Sequence, residues 1–169
     1  MDYEYFDRQL SQNAGRIKAL VSGTSLEEAR WKPLPESWSI LEVINHLLDE
    51  EREDFRVRLD IILHHPDRQA PPINPQGWVV ERQYNQRELT ESLQGFLDER
   101  RKSLEWLESL SSPDWDSVYK APFGEIRAGD MLAAWVTHDQ LHMRQIVEIQ
   151  RAYVEGKAEP YRLDYAGEW

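Results

Sequence analysis

The stretch MLAAWVTHDQLHMRQIVEI, residues 131–149, is the most informative part of the chain. Its apolar residues recur at intervals of three and four, which predicts an amphipathic helix from about Gly129 to Glu155, ending near Gly156. The expected inward face consists of Met131, Ala134, Trp135, His138, Leu141, His142, Gln145, Ile146 and Ile149. Two histidines therefore lie in the middle of a mostly apolar face.

Three further segments have the same helical periodicity. They run from about Tyr3 to Val21, from Ser39 to His64 and from Arg87 to Leu110. Ser39 and Glu42 form the S-x-x-E pattern of a capping box, which marks a helix start, and Pro66 ends that same helix. No segment shows the sustained alternation of a β-strand. The sequence thus predicts an all-α four-helix bundle with a long crossover connection.

The other segments connect or follow these helices. Residues 65–84 contain four prolines and are too long for a tight hairpin, which suits a crossover that acts as a lid, a dimer contact or a simple linker. Residues 157–169 are a polar C-terminal tail without clear periodicity. We therefore expect residues 1–169 to form a single helical domain that ends in this tail.

The composition excludes several classes of function. A formal net charge of −11 argues against nucleic-acid binding, which needs a basic patch. No apolar run approaches the roughly 20 residues that span a bilayer, and the acidic N-terminus is unlike a secretory signal. We expect a cytoplasmic protein without a membrane partner. Because the chain has no cysteine, any metal ligands must be His, Asp or Glu.

The histidine pair in the last helix points to a metal ion. His138 and His142 are four residues apart, so one lies above the other on the helix and both rings can reach a single point. Burying imidazoles without partners costs on the order of 2–7 kcal/mol per unsatisfied polar group. A metal ion would satisfy both rings at once. The alternative is a pair of core histidines that are hydrogen-bonded to other side chains or water.

A third ligand is needed, and His46 in the second predicted helix is the best candidate. Its place at the edge of an apolar stripe also suits an ordinary core histidine. His64 and His65 are weaker candidates, because adjacent helical residues point about 100° apart. Histidines at a helix C-terminus commonly act as caps, so we expect these two at the surface.

Two further polar residues lie one helical turn from candidate ligands. Glu50 follows His46 by four residues and could be a fourth ligand, a hydrogen-bond partner or a general base. It could equally be a solvated carboxylate in an acidic run, which the pattern slightly favours. Gln145 follows His142 and could orient a ligand or a bound water.

Two blocks of sequence resemble the DinB-like superfamily, which includes the YfiT-type metal-binding bundles. The first block comprises residues 26–33 and 38–40, followed by Glu42-Val43, Asn45-His46-Leu47 and Glu50. The second is the H-x-x-x-H-x-x-Q-I signature formed by His138, His142, Gln145 and Ile146. With the predicted order of helices, the resemblance extends over nearly the whole chain.

The resemblance implies a bundle that holds one divalent ion, zinc or nickel, on His46, His138 and His142, often in a homodimer. It implies chemistry on a small molecule, with a low-molecular-weight thiol activated at the metal for group transfer. A metal-dependent hydrolase, with Glu50 as the candidate catalytic base, is one alternative. The other is a metal-stabilised binding module without catalysis. Three histidine ligands leave a coordination position open, as in catalytic zinc sites.

Overall fold

The helix boundaries follow the caps in the sequence. In the computed structural model, which describes residues 2–122 and 124–167, the capping box of Ser39 and Glu42 is formed, with Ser39 N 2.9 Å from Glu42 Oε2. The first long helix is α1 (Tyr3–Val21), and a short helix, α2 (Leu26–Arg30), lies in the connector that follows it. The second long helix begins with α3 (Ile40–Glu50). It continues through a π-helical segment (Glu51–Phe55) into α4 (Arg56–His64).

The second half of the chain supplies the other two long helices. The crossover contains a short helix, α5 (Pro75–Glu81), and a 3₁₀ turn (Tyr84–Gln86). The third long helix is α6 (Leu89–Ser109), and the fourth is α7 (Ala128–Ala158). A final 3₁₀ turn (Asp164–Ala166) lies in the tail. The prediction of a four-helix bundle is therefore confirmed, with boundaries that differ by one to three residues at the ends of α6 and α7.

The expectation that no strands form is wrong in one connector. Strands β1 (Val118–Ala121) and β2 (Gly124–Arg127) pair antiparallel, with Tyr119 opposite Ile126. These two side chains pack against the core formed by Leu10, Phe55 and Trp135. Each strand has only four residues, which is too short for its alternation to stand out in the sequence.

Helix α3 lies at the centre of the bundle. It packs against α2, α5, α6 and α7, and as a result all but one of its residues are buried. Apolar side chains of α1, α3, α6 and α7 form the core around it, namely Ile17, Val43, Ile44, Leu47, Phe96 and Ile146. Within the described residues, none of the helices combines the length and apolar character needed to span a bilayer.

The crossover is tied to α3 by a buried polar contact. Asp49 is fully buried and accepts hydrogen bonds from the Tyr84 hydroxyl at 2.5 Å and from Arg82 Nη1 at 2.5 Å. Arg82 also lies over the ring of Trp78, 4.0 Å from its centroid. This end of the 65–84 segment is therefore packed against the bundle.

Candidate metal centre

Three histidines from two helices meet at one point of the bundle. His46 comes from α3, and His138 and His142 come from α7. The Nε2 atom of His138 lies 3.2 Å from Nε2 of His46 and 3.1 Å from Nε2 of His142. One nitrogen from each ring lies within 4.8 Å of the other two. The structure thus brings together the three residues that the sequence selected.

The spacing of these nitrogens suits a shared metal ion. Zinc–nitrogen bonds of roughly 2.0–2.1 Å in a tetrahedron place two ligand nitrogens about 3.3 Å apart. Hydrogen bonding among the rings is a poor alternative, because a ring nitrogen has either one proton or one lone pair. The Nε2 atom of His138 cannot form a linear hydrogen bond to both neighbours. A cation between the rings would use all three lone pairs.

The environment keeps the three imidazoles neutral, the form in which they bind metals. Burial, with His142 nearby, lowers the pKa of His46 to about 3. Burial, together with the neighbouring His142, His46 and Arg100, lowers the pKa of His138 to about 2. Burial also lowers the pKa of His142, although the Gln145 amide and Asp139 act in the opposite direction. The lone pairs are therefore available at neutral pH.

The outer ring nitrogens of His46 and His142 have different surroundings. Nδ1 of His142 lies 2.7 Å from Oε1 of Gln145, which fits a donated Nδ1–H bond and leaves Nε2 as the lone-pair nitrogen. Nδ1 of His46 and Oε1 of Glu50 are both buried without a hydrogen-bond partner, and they lie 4.0 Å apart. A small movement of the Glu50 side chain would join them.

Glu50 is buried, contrary to the expectation of a solvated carboxylate. Only 4% of it is exposed, because α3 is surrounded by other helices. Burial raises the pKa of Glu50 to about 8, helped by the neighbouring Asp54 carboxyl, with which it shares a hydrogen bond. Glu50 therefore accepts a proton much more readily than an exposed glutamate.

A cleft of about 730 Å³ leads from the surface to the histidines. Its ionisable lining residues besides the histidines are Glu36 and Glu148, and within the part of the chain that the structure describes no Lys or Arg lines it. Trp38 forms one wall, with its ring nearly parallel to that of His142 at an interplanar angle of 8° and 6.2 Å between centroids. The ligand nitrogens are thus reachable by a small molecule.

The inward face of α7 differs from the one expected. Ala134 and Leu141 are exposed, Leu141 by 58%, and the buried face includes Leu132, Val136 and Asp139 instead. The histidines consequently lie at the edge of the buried face, with His138 only partly buried, and they border the cleft. The one signal for this rotation is Asp139, because an aspartate in a mostly apolar stretch is buried only where other helices supply partners for its carboxylate.

His64 and His65 lie on the surface, as expected. The ring of His64 faces Asp60, with Nδ1 2.9 Å from Oδ1, at the exposed end of α4. Neither residue takes part in the group of three.

Sequence reasoning missed a set of buried polar residues beside the centre. Arg100 on α6 contacts Glu51 and Asp139, and all three are at most 1% exposed. Arg100 is followed by Arg101 and Lys102 in a polar stretch of α6, and no pattern there marks Arg100 as the buried one. Glu51 follows Glu50 in the same acidic run, so its burial leaves no sign in the sequence either.

Comparisons with known proteins agree with the fold. A sequence model of the DinB superfamily matches residues 9–146. Among solved structures, YfiT from Bacillus subtilis, described as a probable metal-dependent hydrolase with an unusual four-helix bundle topology, is similar with a TM-score of 0.78. The two are 17% identical, and the match covers 88% of this chain and 85% of YfiT. The comparison with curated proteins found no significant match.

Proposed function

This chain belongs to the DinB superfamily, and we propose that it is a metal-dependent enzyme that acts on a small molecule at His46, His138 and His142. Hydrolysis is the reaction that the geometry supports best. The observation that carries the proposal is the convergence of three neutral imidazole nitrogens at the base of an open cleft. Zinc or nickel is the proposed ion, since imidazole suits both.

The protein's own residues would hold the ion and leave one side of it accessible. The three imidazoles would supply three ligands, and the cleft beside them would give a substrate or water access to the site. When bound, a divalent ion would act as a Lewis acid that polarises a carbonyl and acidifies a water or a thiol. Gln145 would keep the proton of His142 on Nδ1, and Trp38 would shield the rings on one side.

The charge of the cleft favours hydrolysis over thiol transfer. Low-molecular-weight thiols such as glutathione carry carboxylates, and an anionic co-substrate would meet Glu36 and Glu148 without a lining Lys or Arg among the described residues. The description of the structural relative as a probable hydrolase points the same way. Transfer to or from a thiol stays a prediction from the family resemblance, as does a binding module without catalysis.

Glu50 is proposed to position His46. A general base must come within hydrogen-bond reach of the proton that it removes. Glu50 does not line the cleft, and its carboxylate lies beside Nδ1, the outer ring nitrogen of His46. A hydrogen bond from Nδ1 would orient the ring and raise its basicity as a ligand. The variant Glu50→Leu, which has no hydrogen-bond acceptor, should then weaken metal binding as well as any turnover, whereas loss of a base would lower turnover alone.

The proposal is tested by metal analysis followed by a substrate screen. Protein purified without chelator should contain about one ion per chain, and the metal-loaded form should hydrolyse some members of a panel of uncharged and cationic esters, amides and lactones. Melting shifts with a panel of low-molecular-weight thiols serve as the comparison. Strong stabilisation by one thiol, with no hydrolysis, would favour the transferase. Metal-free folded protein that takes up no added zinc or nickel would contradict the proposal altogether.

The remaining expectations from the sequence stay predictions. They are the homodimer, the cytoplasmic location, and the role of residues 65–84 as a lid, a contact or a linker. Size-exclusion chromatography with light scattering would measure the oligomeric state of the metal-loaded and metal-free forms.

A further inference from the structure

A buried cluster of charged side chains lies beside the metal centre, with Arg100 at its middle. Arg100 is 1% exposed, and each of its nitrogens donates. Nε and Nη2 bind the two oxygens of Glu51 at 2.8 and 2.9 Å. Nη1 and Nη2 bind the two oxygens of Asp139, both at 2.8 Å. Nη1 also donates to the Leu10 carbonyl at 2.9 Å, so all five N–H donors are used.

The two carboxylates extend the cluster to all four long helices. Oε2 of Glu51 also accepts a hydrogen bond from Trp135 Nε1 at 2.8 Å. Oδ2 of Asp139 also accepts one from Asn13 Nδ2 at 3.2 Å. The members come from α1, the π-helical segment, α6 and α7. Bidentate arginine–carboxylate pairs of this kind tolerate little rotation or sliding of the helices that carry them.

The cluster is joined to the metal ligands through short paths. Asp139 is the neighbour of His138 on α7, and Glu51 begins the π-helical segment that continues the helix of His46. Trp135, held by Glu51, stacks on Phe55 with 5.6 Å between centroids. Phe55 in turn packs on the ring of His138, with 4.9 Å between centroids. The same contacts therefore relate the two helices that supply the three ligands.

Stability alone is a weak explanation for such a cluster. Buried ion pairs contribute little compared with well-packed apolar side chains of similar volume, because desolvation offsets their attraction. Their better supported use is to select one arrangement of helices over others. π-Helical turns such as Glu51–Phe55 are also frequent at functional sites.

We propose that Glu51, Arg100 and Asp139 form a positioning cluster that sets α3 and its π-helical extension against α7. In this arrangement the Nε2 atoms of His46, His138 and His142 converge before an ion binds. The inference rests on the proposed metal site and adds a role for residues that do not touch the ion. Loosening the cluster spreads the ligands, so the affinity for metal falls even though all three histidines remain.

The test compares cluster variants with a matched core variant in the full chain. Arg100→Lys keeps the positive charge but removes the bidentate contacts of the guanidinium group, and Asp139→Asn keeps the shape of the side chain but removes its charge. Leu107→Ala is the control, because Leu107 is 1% exposed, lies on the same helix as Arg100 and belongs to the apolar core. The measurements are the Zn²⁺ dissociation constant by chelator competition, the melting temperature of the metal-free form, and the visible absorption spectrum with Co²⁺.

All three variants should lower the melting temperature of the metal-free protein. Arg100→Lys and Asp139→Asn should also bind Zn²⁺ about 10- to 100-fold more weakly and alter the Co²⁺ spectrum, as expected when groups that orient metal ligands are changed. Leu107→Ala should bind Zn²⁺ with nearly unchanged affinity. If the cluster variants keep the wild-type dissociation constant and spectrum, the cluster is only structural and the inference is wrong. If the wild-type protein binds neither Zn²⁺ nor Co²⁺, the metal site itself is wrong.

Discussion

The Nδ1 atom of His142 lies 2.7 Å from Oε1 of Gln145, one helical turn further along α7. This contact assigns the two ring nitrogens of His142 to different tasks. The outer nitrogen carries the proton, and the inner one directs its lone pair at the point shared with His46 and His138.

Removing the acceptor at residue 145 should weaken metal binding. Gln145→Leu leaves the Nδ1–H of His142 without its partner, so the ring loses its preferred tautomer and orientation. We expect the Zn²⁺ dissociation constant to rise about 10- to 100-fold by chelator competition. Gln145→Glu still accepts the hydrogen bond and should bind at least as tightly as the wild type. Equal weakening by both variants would contradict this role.

Each of the three histidine ligands should be required for metal binding, whereas the exposed histidines should not be. His142→Ala removes one of the three converging ring nitrogens, and we expect metal content to fall from about one ion per chain to almost none. His64→Ala changes a ring that faces Asp60 at the surface and should leave metal content unchanged. Elemental analysis of the dialysed proteins measures both. Metal retained by His142→Ala would mean that the ion binds elsewhere.

Glu50→Gln should stabilise the metal-free protein, and increasingly so as pH rises. The pKa of Glu50 is about 8 in the folded protein, above its ordinary value of 4.5, so the folded state holds this proton more tightly than the unfolded state. Protonated Glu50 therefore favours the folded state at low pH, and this contribution to stability is lost as pH rises from about 4.5 to about 8. Relative to the wild type, Glu50→Gln should gain up to a few kcal/mol in free energy of unfolding between pH 5 and pH 9.

Urea unfolding in the presence of a chelator measures this difference. Glu125→Gln, at an exposed position of β2, is the control and should show no comparable trend. A pH-independent difference between Glu50→Gln and the wild type would mean that Glu50 is ionised in the folded metal-free protein at neutral pH.

The buried histidines should make the free energy of unfolding depend on pH in the opposite direction to Glu50. The pKa of His46 is lowered to about 3 and that of His138 to about 2, so below pH 6.5 the unfolded state takes up protons that the folded state does not. The free energy of unfolding should therefore decrease as pH falls. Between pH 7 and pH 5 the loss is at most about 2 kcal/mol for each ring.

This trend is best measured in Glu50→Gln protein without metal, where the opposing contribution of Glu50 is absent. In that background, His46→Gln should have a shallower slope of unfolding free energy against pH, because one buried imidazole is gone.

In the metal-loaded wild type, protons compete with the ion for the imidazole nitrogens and should release it between pH 7 and pH 4. Metal content that stays constant over this range would contradict histidine ligation.

The sequence by itself determined the four long helices and the histidine pair on the last of them. Apolar spacing of three and four residues, a capping box at Ser39 and prolines between segments are local features, and local features set where helices begin and end. The spacing of His138 and His142 is also local, because one turn of helix separates them whatever the tertiary structure. The family resemblance added His46, and the structure brings all three together.

Only the tertiary structure decided what surrounds those histidines. Burial depends on which helices pack against a face. Other helices cover both α3 and the π-helical segment that continues it, so Glu50 and Glu51 are buried although their acidic run looked solvated. The rotation of α7, which exposes Leu141 and buries Asp139, follows from partners such as Asn13 and Arg100 that are distant in the chain. Long-range contacts of this kind leave no periodic signal in a single sequence, because each partner lies on a different helix.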